Sequence, residues 1–144
     1  MKTTRQGVFE TNSSSTHSVT IAEDGELLDT LPVDEDGKVS LQTGEYGWEV
    51  EGYRHVSERA QYATTLAMGR IDSEKEKLMK MMVKVIKEHT GCKKVVVQTR
   101  YADDFGYIDH NSILEALKIF VTEKTLKNFL FNPRSYFETS NDNM

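Results

Sequence analysis

Apolar residues recur at two spacings along this chain, and the change between them falls near residue 56. From Thr16 to Ala22 the pattern is THSVTIA, with Val19 and Ile21 on one side of an alternation of two, which predicts a strand. Glu23-Asp24-Gly25-Glu26 reads as a turn. Leu27 to Val33 and Lys38 to Gln42 read as short strands around a second turn, Asp34-Glu35-Asp36-Gly37. Glu45 to Tyr53 holds Trp48 and two tyrosines among glycines, and reads as a third short strand or an ordered loop.

Beyond His55 the spacing becomes three and four. Ser57 to Arg70 places Ala60, Ala63, Leu66 and Ala67 on one helical face, with Ser57 as cap and Gly69 as stop. Ser73 to His89 is the clearest helix. Leu78, Met81, Met82, Val85, Ile86 and His89 share a face, lysines lie opposite, Ser73 and Glu76 make a capping box, and Gly91 ends it. Lys94 to Thr99 (KVVVQT) has the unbroken apolar run of a buried strand. A helix follows from Asn111 or Ser112 to Phe120, with Ile113, Leu114, Leu117 and Phe120 inward. Another runs from its cap Thr122 to Phe131, with Leu126, Phe129 and Leu130 inward, until Pro133 stops it. Ser135 to Ser140 is the last strand.

Strands clustered first and helices later predict an α+β fold, a mainly antiparallel sheet with about four helices packed on one face. Residues 1–144 suit a single domain, with an acidic turn-rich strand region at 16–53 and a helical and strand region at 56–140. Neither GxGxxG nor GxxxxGK[ST] is present, so the two common phosphate-binding α/β motifs are excluded.

Composition narrows the classes further. The net charge of −5 argues against sequence-independent nucleic-acid binding, which needs lysines and arginines to displace counterions, although a local basic patch remains compatible with it. The single cysteine, Cys92, rules out an internal disulfide and fits a reducing compartment. No apolar run approaches the ~20 residues of a membrane span, and MKTTRQG lacks the apolar core of a signal peptide. The expectation is a cytoplasmic protein with no membrane partner, no metal and no cofactor.

The candidate chemistry begins in the hydroxyl run of GVFETNSSSTHSV. Ser and Thr side chains bond to nearby backbone and favour turns, and consecutive N–H groups in such a turn hold anions. Asn12, Ser13, Ser14, Ser15, Thr16 and His17 are therefore candidate ligand-binding residues, joined by Asp109, His110, Asn141 and Asp142 if the chain brings them together. His17 titrates near neutral pH and can act as acid, base or orienting group. Ser14 is a candidate nucleophile, with His110 a better base for it than His17, because near neighbours on a strand point apart. The competing reading is a polar loop whose hydroxyls satisfy its own backbone. Asp109 or Asn111 then simply caps a helix, His89 belongs to the core, and His55 has no assignable context.

Arg100 to Phe105 (RYADDF) resembles the aspartate hairpin of reverse transcriptases. The likeness covers six residues. A polymerase would need a third aspartate on an upstream strand and a far larger, less acidic chain, so Asp103 and Asp104 are read as a loop that turns at Gly106.

RQGVFETNSSSTHSVTI, GYIDHNS and FLFNPRSYFETSNDN together resemble a family of small bacteriophage and prophage proteins. The resemblance covers both ends and the segment after the valine-rich strand, and none of 23–55. It implies expression inside a bacterial host and implies no particular reaction. Two functions then stand. The first is an accessory protein that binds a host or phage protein, using the acidic turns at Asp34 and Asp36 and exposed aromatics at Tyr46 and Trp48. The second is a small phosphate- or nucleotide-binding enzyme built on the Ser/His/Asp residues.

Overall fold

A computed structural model describes residues 15–46, 51–98, 106–108 and 112–141. Its elements run β1 (Ser15–Thr20), β2 (Lys38–Gln42), β3 (Glu45–Tyr46), β4 (Glu51–Tyr53), α1 (Val56–Met68), α2 (Asp72–Thr90), β5 (Lys94–Gln98), β6 (Tyr107–Ile108), α3 (Ile113–Ala116), a 3-10 turn at Leu117–Phe120, α4 (Glu123–Phe131) and β7 (Tyr136–Asn141). The fold is α+β.

β7 lies between β1 and β4, and both pairings are antiparallel. Its alternation is that of a sheet packed on one side only: Phe137 and Thr139 are buried while Glu138 is exposed. Opposite them on β1, Val19 faces Phe137 and His17 faces Thr139, and both are buried.

The remaining strands pair in parallel, β2 with β5 and β3 with β6. This adds to the antiparallel sheet that the strand-then-helix order predicts. Parallel neighbours need a long crossover, and α1 and α2 supply it. Residues 43–44 link β2 to β3, whereas the eight residues 99–106 link β5 to β6. The two parallel pairs therefore do not share a register. The ADDF segment belongs to the longer link and lies outside the described residues.

Several local expectations change. Leu27–Val33 forms no strand; it is an extended strap, held at Asp29 by isolated bonds to the Phe131 carbonyl and to His89 rather than by a ladder. α1 is capped by His55, whose Nδ1 accepts from the Ser57 N–H, rather than by Ser57. α2 starts at Asp72, with no side-chain cap at Ile71, so the Ser73–Glu76 box does not form. Gly91 closes α2 in the left-handed conformation (φ 74°), and Thr122 caps α4 through its Oγ1 and the Thr125 N–H at 3.0 Å.

The core joins the inner faces of α1, α2 and α4 to the sheet. Phe137 is stacked between Tyr62 (centroids 4.0 Å apart) and Tyr53 (4.6 Å), and Tyr46 meets all three rings edge-on.

Candidate functional site

Two regions carry chemistry. The first lies at the inner end of the antiparallel sheet. The β1–β7 register sets Ser15 opposite Asn141 and Thr16 opposite Ser140, so the start of the first strand meets the end of the last. The β1 edge facing away from β7 is closed by side chains: Ser112 Oγ accepts from the His17 N–H at 3.1 Å, and Glu115 Oε2 accepts from the Val19 N–H at 3.0 Å. Those two bonds keep an exposed edge from pairing elsewhere and dock α3 on the sheet.

His17 itself is only 3% exposed, and its Nδ1 is hydrogen-bonded to the Tyr62 hydroxyl at 2.9 Å. Burial, with smaller contributions from Glu115 and then Tyr46, pushes the Tyr62 phenol above the ordinary tyrosine range, so it stays neutral. Thr139, directly opposite His17, keeps its Oγ1 buried with no hydrogen-bond partner among the described residues. A histidine held in this way orients the strand. It is not presented at the surface as a base.

The second region is the strap between Ile21 and Gly37. It carries seven carboxylates and no lysine or arginine. Arg59 fastens it from below. The guanidinium, fully buried on α1, donates to the carbonyls of Arg54, Ser135 (3.1 Å) and Leu130 (3.0 Å) and pairs with Asp29 at 2.5 Å. Asn132 Nδ2 donates to the carbonyls of Ala22 and Asp24, Ser135 Oγ accepts from the Ala22 N–H, and the Asp29 N–H donates to the Phe131 carbonyl. His89, stacked on Phe131, bonds through Nε2 to the Asp29 carbonyl at 2.8 Å. Leu31 is buried. The strap is thus pinned along its length, while Glu23, Asp24, Glu26, Asp34, Glu35 and Asp36 all face solvent beside Leu28 (71% exposed) and Val33 (42%).

The candidates from sequence distribute as follows. Asn12, Ser13, Ser14, Trp48, Asp109, His110 and Asp142 lie outside the described residues. Ser15, Thr16 and Asn141 belong to the β1–β7 ladder. Tyr46, expected as an exposed anchor, is 3% exposed, and its hydroxyl accepts from Gln61 Nε2; the aromatic cluster absorbs it because that cluster is where the sheet meets α1. Asp34 accepts the N–H groups of Asp36 and Lys38 and so shapes its own turn, while Asp36 is exposed.

Pattern reading missed Arg59, Tyr62, Ser112, Glu115, Asn132 and Thr139. For Arg59 and Tyr62 a signal existed. With Ala63 and Leu66 they fall at the i, i+3, i+4, i+7 positions of α1, so a charged residue stands on an apolar face and must have a buried partner.

Two surface depressions lined by described residues have volumes of about 130 and 140 Å³, one beside Glu23 and Lys124 and the other between Leu66, Arg70 and Ile113. Both are well below the roughly 300–1,000 Å³ of a typical small-molecule site. Among the described residues no group of three or more His, Cys, Asp or Glu is placed to hold a metal, and no helix is long and apolar enough to cross a membrane. No family model, curated protein or solved structure matches the chain.

Proposed function

We propose that this protein acts by binding another protein, with the acidic strap from Glu23 to Asp36 as the contact surface, as an accessory protein of a phage or prophage in the cytoplasm of a bacterial host. The observation that carries the reading is the fastening of the strap. A segment of one charge sign is normally a solvated loop, and ordering it on binding costs conformational entropy. Here Arg59, Asn132 and His89 have already ordered it, so the cost of presenting six exposed carboxylates and two apolar side chains is met in the fold. The partner's matching face is basic with an apolar centre, and attraction between the two speeds encounter. The phage context rests on the likeness of the N-terminal, GYIDHNS and C-terminal segments.

Capture from a bacterial lysate on the immobilised protein tests this. A retained protein should be lost with the triple variant E23K/D24K/E26K and at raised salt, yet be kept by the control K77E/K80E. Retention that ignores strap reversal, or no retention at all, overturns it.

One observation favours a second reading, a phosphate- or nucleotide-binding site. Ser15 and Asn141 are register partners, and Ser112 is bonded to His17, so three polar stretches of the sequence meet at one end of the sheet. A rise of several degrees in Tm with inorganic phosphate or a nucleotide would support it, by linkage.

A further inference from the structure

We infer that the outer edge of β5 is a docking edge for an extended, β-branched segment of another protein that carries carboxylates at the end meeting Lys93 and Lys94. This surface is distinct from the acidic strap, and its partner has the opposite charge.

The β2–β5 pair is a sheet of two strands among the described residues, and β5 uses one edge to bind β2. The other edge of any such strand presents alternate N–H and C=O groups as a template for pairing. The side chains show where the layer stops. On β2, Val39 and Leu41 are 1% and 2% exposed, whereas their register partners Val95 and Val97 are only half-buried, although they pack against the same core. Val96, on the opposite face beside exposed Ser40, is half-buried too. The apolar row thus ends at β5 with three valines still partly in water. Parallel sheets are ordinarily covered, and a third strand would continue the Val39–Val95 and Leu41–Val97 rows.

The charges select the occupant. Lys94 lies directly across from Lys38, and Lys93 precedes it with its stem against Gly37. None of the three takes part in an ion pair among the described residues. Like charges set directly opposite each other disfavour pairing, and lysines at an edge protect it from its own kind. A second copy paired in parallel would set its own Lys93 and Lys94 against these. A strand with carboxylates at that end is attracted, and its alternate β-branched residues would cover Val95 and Val97. Main-chain bonds then give affinity and the lysines give orientation, as in strand addition generally.

The probes are the fluorescein-labelled peptides EEVTVTV and KKVTVTV, titrated against the full chain and read by anisotropy, with amide exchange followed at Val95–Gln98. The acidic peptide should bind and slow that exchange, and the basic one should not. The variant K93E/K94E, whose changes are exposed and whose fold is checked by circular dichroism, should weaken the acidic peptide by about tenfold and gain affinity for the basic one. Three results would overturn the inference: no binding of EEVTVTV at millimolar peptide, indifference to charge reversal, or protection of Val95–Gln98 that rises with protein concentration in the absence of peptide, which would make the occupant a second copy.

Discussion

The imidazole of His17 and the hydroxyl of Tyr62 meet at 2.9 Å inside the protein and tie the first strand to the first helix. Tyr62 is fully buried and neutral, so its hydroxyl is a fixed partner in an apolar setting. Tyr62→Phe keeps the ring stacked on Phe137 and removes only that partner, leaving a buried ring nitrogen of His17 without it. Urea unfolding should show a loss of about 1–3 kcal/mol. Tyr62 also fixes a pH dependence. Its phenol titrates above its unfolded value of about 10, so its contribution is complete below that pH and is lost as pH rises beyond it, where only the unfolded chain ionises. Stability of the native chain should therefore fall more steeply in alkali than that of Tyr62→Phe, measured as Tm against pH.

Arg59 holds three backbone carbonyls and the Asp29 carboxylate in one buried contact. Arg59→Met fills similar space but leaves these acceptors unsatisfied, and breaking a buried pair from one side costs roughly 3–5 kcal/mol. Asp29→Asn keeps a hydrogen-bonding oxygen, and Asp29 is partly exposed, so its loss should be smaller. Amide exchange should speed across 22–31 in both variants before global unfolding. Equal exchange in the strap and the core would contradict the role assigned to Arg59.

Two glycines with positive φ separate conformational strain from steric fit. At Gly91 (φ 74°) a Cβ would meet nothing within 4 Å, so Gly91→Ala carries only the left-handed penalty of about 1–2 kcal/mol. At Gly106 (φ 79°) it would press into the backbone of Gly44 and the methyl of Thr65, where the Thr65 hydroxyl already holds the Gly44 N–H at 2.9 Å. Gly106→Ala should lower Tm well beyond Gly91→Ala. Matching melts would mean that the Gly44–Gly106 approach relaxes freely.

The 3-10 turn gives a fourth comparison. The inner face of 112–120 is made by Ser112, Ala116, Ile119 and Phe120, so Leu114, expected inward, falls on the opposite side and is 84% exposed while Ile119 is fully buried. Leu114→Lys should leave stability within about 0.5 kcal/mol of the native chain. Ile119→Ala should cost about 2–5 kcal/mol in the same denaturation measurement.

Much of the fold was legible because most of its elements bury one face. The apolar sets of α1, α2 and α4, the stops at Gly69 and Gly91, the cap at Thr122 and the strands β1, β2, β5 and β7 all follow from spacing and cap chemistry. Caps placed two residues off, at Ser57 and Ser73, show how weakly a single hydroxyl fixes a boundary: His55 caps α1 instead, and α2 begins after Ile71 with no side-chain cap. Leu27–Val33 looked like a strand because an extended strap and a strand share the same alternation. What differs is whether the backbone bonds form a ladder or go singly to a helix end and a side chain, as at Asp29.

By itself the sequence determined that strands and helices segregate, which helical faces are apolar, and that the charge between Glu23 and Asp36 is of one sign, since these depend only on local spacing and composition. Tertiary structure alone decided that β2 pairs with β5 in parallel, that His17 turns inward to Tyr62, and that Arg59 pins the strap. Each of these joins residues 30 or more positions apart. Such pairings depend on which distant residues meet once the core closes; local spacing marks Arg59 and Tyr62 as inward but does not identify their partners.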